Sequence, residues 1–161
     1  MVSVSDPKDI EKVWKLASKI RTCMLVSEEA RMLHGRPMAA YPDEHGNAIY
    51  FLTDVRGHKN NEISEKPDVC LCFMEGSKYL CISGDGVVTD DRAKIRELWN
   101  AFAEAWFEGP DDPNIRLLRV APHEAHYWET PGKAVTAVNM AIAAATGTHP
   151  KAGKERKVDM H

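Results

Sequence analysis

Residues 51–60 read FLTDVRGHKN. A strand-like run reaches Thr53 and Asp54, Gly57 follows, and His58 and Lys59 open the polar stretch GHKNNEISEK. A strand end, a glycine turn and a helix start aim backbone N–H groups and the positive end of a helix dipole at one spot. With the Thr53 hydroxyl, His58 and Lys59 beside them, these donors make a seat for a phosphate. GHK is not a P-loop, which needs a longer glycine-rich run ending in Lys-Ser or Lys-Thr. On these residues alone, an ordinary surface turn with a solvated lysine is the competing reading.

A second cation strengthens the seat. Arg36 stands beside Pro37 and Met38 in RMLHGRPMAAYP, and the turn residues DEHGN join that run to AIYFLTD. A hairpin there predicts Arg36 and Thr53 on adjacent strands. Elsewhere the chemistry-bearing residues are sparser. Cys23, Cys70, Cys72 and Cys81 lie in or beside apolar runs without the paired two-residue spacing of a zinc site. Cys70 and Cys72 alternate along one strand and share a face. Reduced thiols packed as small hydrophobes are the expectation, with a metal or redox pair as the alternative. His123 and His126 are an incomplete ligand set, so no metal site is expected. His34 reads as a strand side chain, and no general acid or base stands out.

These residues need elements to hold them. SDPKDIEKVWKLASKI has Asp6 as N-cap, Pro7 at the first helical position and Ile10, Val13, Trp14, Ala17 and Ile20 at helical spacing. Short strands follow: CMLVSE, RMLHGRPMAAYP, AIYFLTD, then DVCLCFME and YLCISGDGVV around the turn GSK. GHKNNEISEK reads as a short surface helix stopped by Pro67. TDDRAKIRELWNAFAEAWFEG carries the stripe Ile95, Leu98, Trp99, Phe102 and Trp106, which predicts one helix ending before Gly109. IRLLRVAP and EAHYWE read as two further strands, and GKAVTAVNMAIAAATG as an Ala-rich helix. Trp99 and Phe102 are expected in the core. Trp106, Phe107 and Trp128 are expected to pack, or to cover a bound ring.

Several strands with a helix midway and helices at each end predict an antiparallel sheet closed into a small barrel. A 161-residue chain is one domain, and 43% hydrophobic with 28% charged residues suits a folded one. A net charge of −3 gives no broad basic field, so no nucleic-acid partner is expected. No basic-then-apolar leader is evident and no apolar run reaches the ~20 residues of a membrane span. A cytoplasmic protein with no membrane partner is the expectation.

In order and spacing, TCMLVS, GRPMAA, IYFLTD with its following HK, VCLCF, YLCISGDGVVTDD, ELW, WFEGPDDPNIRLLRVAP and HYWE resemble the general stress protein branch of the pyridoxamine 5′-phosphate oxidase-like, FMN-binding split barrels. The resemblance covers nearly the whole chain. It implies a mainly β fold with flanking helices, a six-stranded antiparallel split β-barrel over residues 1–147, followed by a polar basic tail at 148–161 that could add a short strand. It also implies a homodimer with FMN at the interface, an FMN-dependent oxidoreductase and NAD(P)H or another small electron donor. Arg36, Pro37 and Met38 would lie along the flavin, Thr53, Asp54, His58 and Lys59 would hold its phosphate or ribityl oxygens, and Trp106 and Trp128 could cover its ring. Two alternatives stay open, a flavin-binding module without catalysis and a deazaflavin ligand. Relatives that oxidise pyridoxamine phosphate carry a Ser-Arg-Lys triplet where this chain has Gly57-His58-Lys59, and a C-terminal arginine and histidine motif with no counterpart here. The resemblance therefore does not imply vitamin B6 oxidation.

Overall fold

The computed structural model describes residues 5–57, 63–149 and 153–161. His58 and Lys59 lie outside the described residues, as do 60–62 of the polar stretch. Ile63, at its far end, is buried in the core.

Helix α1 (Pro7–Ile20) starts where the Asp6 carboxylate accepts from the Lys8 N–H at 2.9 Å and ends at Arg21, whose φ is 63°. Its stripe buries Val13, Trp14, Leu16 and Ala17 against the sheet. The strands are β1 (Thr22–Glu29), β2 (Met32–Ala39), β3 (Tyr41–Asp43), β4 (Ala48–Asp54), β5 (Asp68–Glu75), β6 (Lys78–Thr89), β7 (Ile115–Glu129) and β8 (Lys154–Asp159). Helices α2 (Arg92–Leu98) and α3 (Ala101–Glu104) sit between β6 and β7, and α4 (Lys133–Thr146) follows β7. β8 arises within the segment whose composition reads as a tail, and pairs with β7 from Glu124↔Asp159 to Glu129↔Lys154.

The expected six-stranded closed barrel is not what forms. The strands make one eight-stranded antiparallel sheet in the open order β2-β1-β5-β6-β7-β4-β3, with β8 branching from β7. The reason lies at Ala40. Its N–H donates to the Arg21 carbonyl and ends the β1–β2 ladder, and the chain then leaves for β3, which is three residues long. Thus, among the described residues, β2 pairs only with β1 and β3 only with β4. Each end strand carries a proline, Pro37 or Pro42, which suits an edge because proline cannot donate to a ladder. The hairpin across DEHGN is consequently β3–β4, from Tyr41↔Tyr50 to Asp43↔Ala48, and Arg36 is not on the strand beside Thr53.

IRLLRVAP and EAHYWE are one strand rather than two. β7 runs through Pro122 because a register shift, Ser83↔Glu124 followed by Gly84↔Pro122, leaves His123 as an extra residue at a bulge. On its other edge, β7 pairs with β4 before the bulge and with β8 after it.

The single helix predicted in TDDRAKIRELWNAFAEAWFEG is broken. Trp99 is extended, with φ −60° and ψ 132°, and Asn100 caps a new helix by accepting from the Phe102 and Ala103 N–H groups at 3.1 Å. The break splits the apolar stripe. Ile95 is buried with Ile115 and Leu117, with Leu98 and Trp99 packed against them, whereas Phe102 and Trp106 stand 58% and 70% exposed. Phe102 is therefore not a core residue.

Candidate functional site

β4 alternates cleanly. Ile49, Phe51 and Thr53 are buried on the core face, while Tyr50 and Leu52 pack against the Ile95 cluster on the other. Thr53 thus arrives at the strand end 1% exposed. The next residues form a tight turn, in which the Gly57 N–H donates to the Asp54 carbonyl at 3.0 Å. The Asp54 carboxylate accepts from the Arg56 N–H at 2.8 Å and from its guanidinium Nε at 2.9 Å. Arg56 balances that negative charge, which would otherwise oppose an anion beside Thr53.

A cavity of about 370 Å³ opens at this strand end. One wall is residues 36–39 of β2, the facing wall Leu52, Thr53 and Asp54 of β4, and α3 with the turn after it contributes Phe102, Trp106 and Phe107. Arg36, Pro37, Met38, Thr53, Asp54 and Trp106 are therefore brought together without the β2–β4 hairpin that the sequence suggests. Both walls belong to strands near the open ends of the sheet, where β4 has its last rung with β3 at Tyr50. Arg36 and Met38 share a face of β2, and Met38 packs against the main core, so Arg36 is carried on a fixed strand. Trp128 does not line this cavity. Its ring stacks on His126 with centroids 5.8 Å apart.

Sequence reasoning missed how α3 is hung over the cavity. The Asn100 side-chain amide donates to the Tyr41 hydroxyl at 3.1 Å, tying the α3 cap to the start of β3. A polar residue in the middle of an otherwise apolar helical stripe was the available signal. It also passed over Arg116, which is opposite Thr53 in the β4–β7 ladder but donates to the Pro113 and Ile115 carbonyls at 2.8 and 2.9 Å.

A second cluster lies on β5 and β6. The Cys70, Cys72 and Cys81 sulfurs are 3.0 to 3.8 Å apart, and the Cys81 contact holds the Cys70 thiol down to about 6 against the effect of burial. Cys23 is separate, 2% exposed, with burial pushing its thiol up to about 12.

A family model described as pyridoxamine 5′-phosphate oxidase like matches residues 8–151. General stress protein 26 of Bacillus subtilis is 30% identical over 96 residues, spanning 56% of this chain and 67% of that protein. The crystal structure of a general stress FMN/FAD binding protein from Xanthomonas citri is 30% identical, covers 78% of this chain and 92% of its own, and superposes with a TM-score of 0.69. A general stress protein 26 structure from Jannaschia sp. CCS1, 24% identical, covers 94% of this chain and 99% of its own at a TM-score of 0.76, a likeness of fold. With the match to residues 8–151 and these relatives in view, the chain belongs to the pyridoxamine 5′-phosphate oxidase-like family, in its general stress protein 26 branch.

Proposed function

We propose that the cavity between β2 and β4 seats FMN, and that the protein is a flavin-dependent oxidoreductase that takes electrons from a reduced nicotinamide and passes them to a small acceptor. The observation that carries this reading is the cavity itself. It combines strand backbone, one cation and an aromatic rim, which are the groups that a planar ring with a polar edge requires. The 30%-identical Xanthomonas citri protein, described as binding FMN or FAD, supports it. Bound flavin supplies the redox chemistry, and the chain supplies position and electrostatics.

In this reading, backbone groups at Pro37 and Met38 meet the pyrimidine edge of the ring. Arg36 stands close enough to favour the anionic reduced form. Thr53, with His58 and Lys59 that follow it in the sequence, holds the phosphate or the neighbouring ribityl oxygens, with Asp54 bracing the intervening turn through Arg56. Trp106 shields the ring from solvent. The protein acts as a homodimer with the flavin at the interface, and Trp128 of one copy covers the ring held by the other. Apolar side chains left in the open on α4, Val135, Val138 and Ile142, support association. A deazaflavin in the same cavity would be recognised by its distinct absorption.

One observation favours a second reading, a flavin carrier without turnover. Among the described residues, the titratable groups lining the cavity are Arg36, Tyr41 and Asp54, of which Tyr41 accepts a hydrogen bond from Asn100 and Asp54 is held by Arg56. Steady-state NADH or NADPH oxidation separates the two readings, since a carrier does not exceed the rate of free FMN. The seat itself is tested by titrating FMN and riboflavin in parallel. FMN is expected to bind at least about tenfold tighter, the effect of one charge-assisted contact to the phosphate. Equal affinity would remove the phosphate seat.

A further inference from the structure

The flavin reading leaves one group of side chains unused. On β5, Val69, Leu71 and Phe73 enter the core, so Cys70 and Cys72 project from the opposite face of the sheet. On β6, Leu80 and Ile82 enter the core, and Cys81 projects to the opposite face beside Cys70 and Cys72. The ladder sets Cys72 opposite Cys81 and Cys70 opposite Ser83. Three half-buried thiols, from positions that no linear motif links, thereby meet at one point.

The separations discriminate among ordinary explanations. The Cys70–Cys72, Cys72–Cys81 and Cys70–Cys81 sulfurs are 3.8, 3.7 and 3.0 Å apart. All exceed the S–S bond of a disulfide, about 2.05 Å, and a disulfide between any two would strand the third. Packing as small hydrophobes describes the enclosed Cys23, but not thiols partly open to solvent on the outer face. Tetrahedral thiolate bonds of about 2.3 Å set sulfurs about 3.8 Å apart. Two of the three edges already have about that length, and widening the Cys70–Cys81 contact from 3.0 Å supplies the third.

The surroundings are soft as well. Across the same face, the ladders align Met24 with Cys72, Cys72 with Cys81, and Cys81 with His126. A thioether, two thiols and an imidazole thus lie in one row over four adjacent strands, with Cys70 beside it. The Glu124 carboxylate accepts a hydrogen bond from the His126 Nε2–H at 3.0 Å, the arrangement in which carboxylates orient metal-ligating imidazoles. Thiolate ligands select zinc(II) and copper(I) over harder cations such as magnesium or calcium.

We propose that Cys70, Cys72 and Cys81 form a three-thiolate site for one soft d10 cation, zinc(II) or copper(I), on the outer face of the β5–β6 hairpin. The site is independent of the flavin cavity and stands or falls without it. Binding forms three sulfur–metal bonds and releases the thiol protons to solvent, with no change of oxidation state.

The test uses full-length protein, reduced and kept anaerobic. Zinc(II) and copper(I) are added in separate titrations, followed by desalting and elemental analysis, with free thiols counted before and after. The expected result is one ion retained per chain and three thiols protected. Cobalt(II) in place of zinc should give sulfur-to-metal charge-transfer absorption. Cys72→Ser and Cys81→Ser should each weaken retention by at least about a hundredfold, whereas Cys23→Ser should leave it unchanged. Folding of each variant is checked by circular dichroism. Wild-type protein that is folded and reduced yet retains neither ion would overturn the site, as would retention that survives the Cys72→Ser/Cys81→Ser double variant. A mass two daltons low in air-exposed protein, with no metal retained after reduction, would also overturn it and assign the cluster to disulfide formation.

Discussion

Arg36 is the side chain on which the flavin reading leans most. A strand fixes it, and it lines the cavity beside the β2 backbone. Arg36→Ala is expected to weaken FMN binding about 10- to 100-fold, the range for loss of a contact to a charged partner, and to lower the reduction potential of bound flavin. An unchanged potential in a spectroelectrochemical titration would remove the electrostatic role. Tyr127 serves stability instead. Its hydroxyl donates to the Asp9 carboxylate at 2.7 Å, joining β7 to α1, and burial first, then Asp9, pushes its pKa up from 10.0 to about 12. A raised pKa means that the folded state holds the proton more tightly. The contribution is thus complete below about pH 10 and is lost as the pH rises through about 12. Tyr127→Phe should cost about 1.5 kcal/mol in urea unfolding at neutral pH, with the gap from wild type closing over that alkaline window. What was legible at this scale is a grouping: Arg36, Pro37, Met38, Thr53, Asp54 and Trp106, singled out from the sequence, line one cavity. The convergence of Cys81 on Cys70 and Cys72 was not, because hairpin register, rather than local spacing, brings it there.

At the scale of elements, two local devices hold strands and helices in place. The bulge in β7 brings strand backbones unusually close, and a Cβ on Gly84 would lie 2.3 Å from the Ala121 carbonyl oxygen and 3.1 Å from the Pro122 Cα. Those are backbone atoms, so the strand pair itself must move. A Cβ on Gly86 would meet the Ile63 Cγ2 at 2.9 Å and the Leu118 Cδ1 at 3.1 Å, methyl groups of two buried side chains rather than backbone. Gly84→Ala is therefore expected to destabilise by about 2–3 kcal/mol and Gly86→Ala by about 1 kcal/mol, read from denaturant midpoints. The second device is Asn100, which caps α3 and ties it to Tyr41. Asn100→Ala should cost about 1 kcal/mol and also weaken FMN binding, since α3 carries part of the cavity rim. A stability loss with unaltered FMN affinity would show that α3 does not shape the seat. The apolar stripe from Ile95 to Trp106 hid this break because its spacing runs on through Asn100. Likewise Pro122 disguised β7, since a bulge can hold a proline within a strand while spacing alone suggests an end. Strands β1, β4, β5 and β6 and helix α1 were legible, because each strand is a short apolar run and the helical stripe of α1 coincides with its buried face.

For the whole molecule, the antiparallel direction of the strands followed from pattern, but neither their number nor closure did: RMLHGRPMAAYP splits into β2 and β3, IRLLRVAP and EAHYWE fuse into β7, and β8 forms in the expected tail. A chain of antiparallel strands can close or stay open with the same alternation, and the difference here rests on the three-residue β3 and on prolines in both end strands. The open ends are also where the cavity lies, so the same feature that prevents a continuous ladder gives a ring-shaped ligand access to strand backbone. This links fold to proposed function through one place in the molecule. The most direct measurement is the visible absorption of purified protein after incubation with FMN and desalting, taken with its mass by light scattering. The account predicts retained flavin bands at about one per chain on a particle of twice 18.0 kDa. A colourless protein at saturating FMN would contradict it, whatever the oligomeric state.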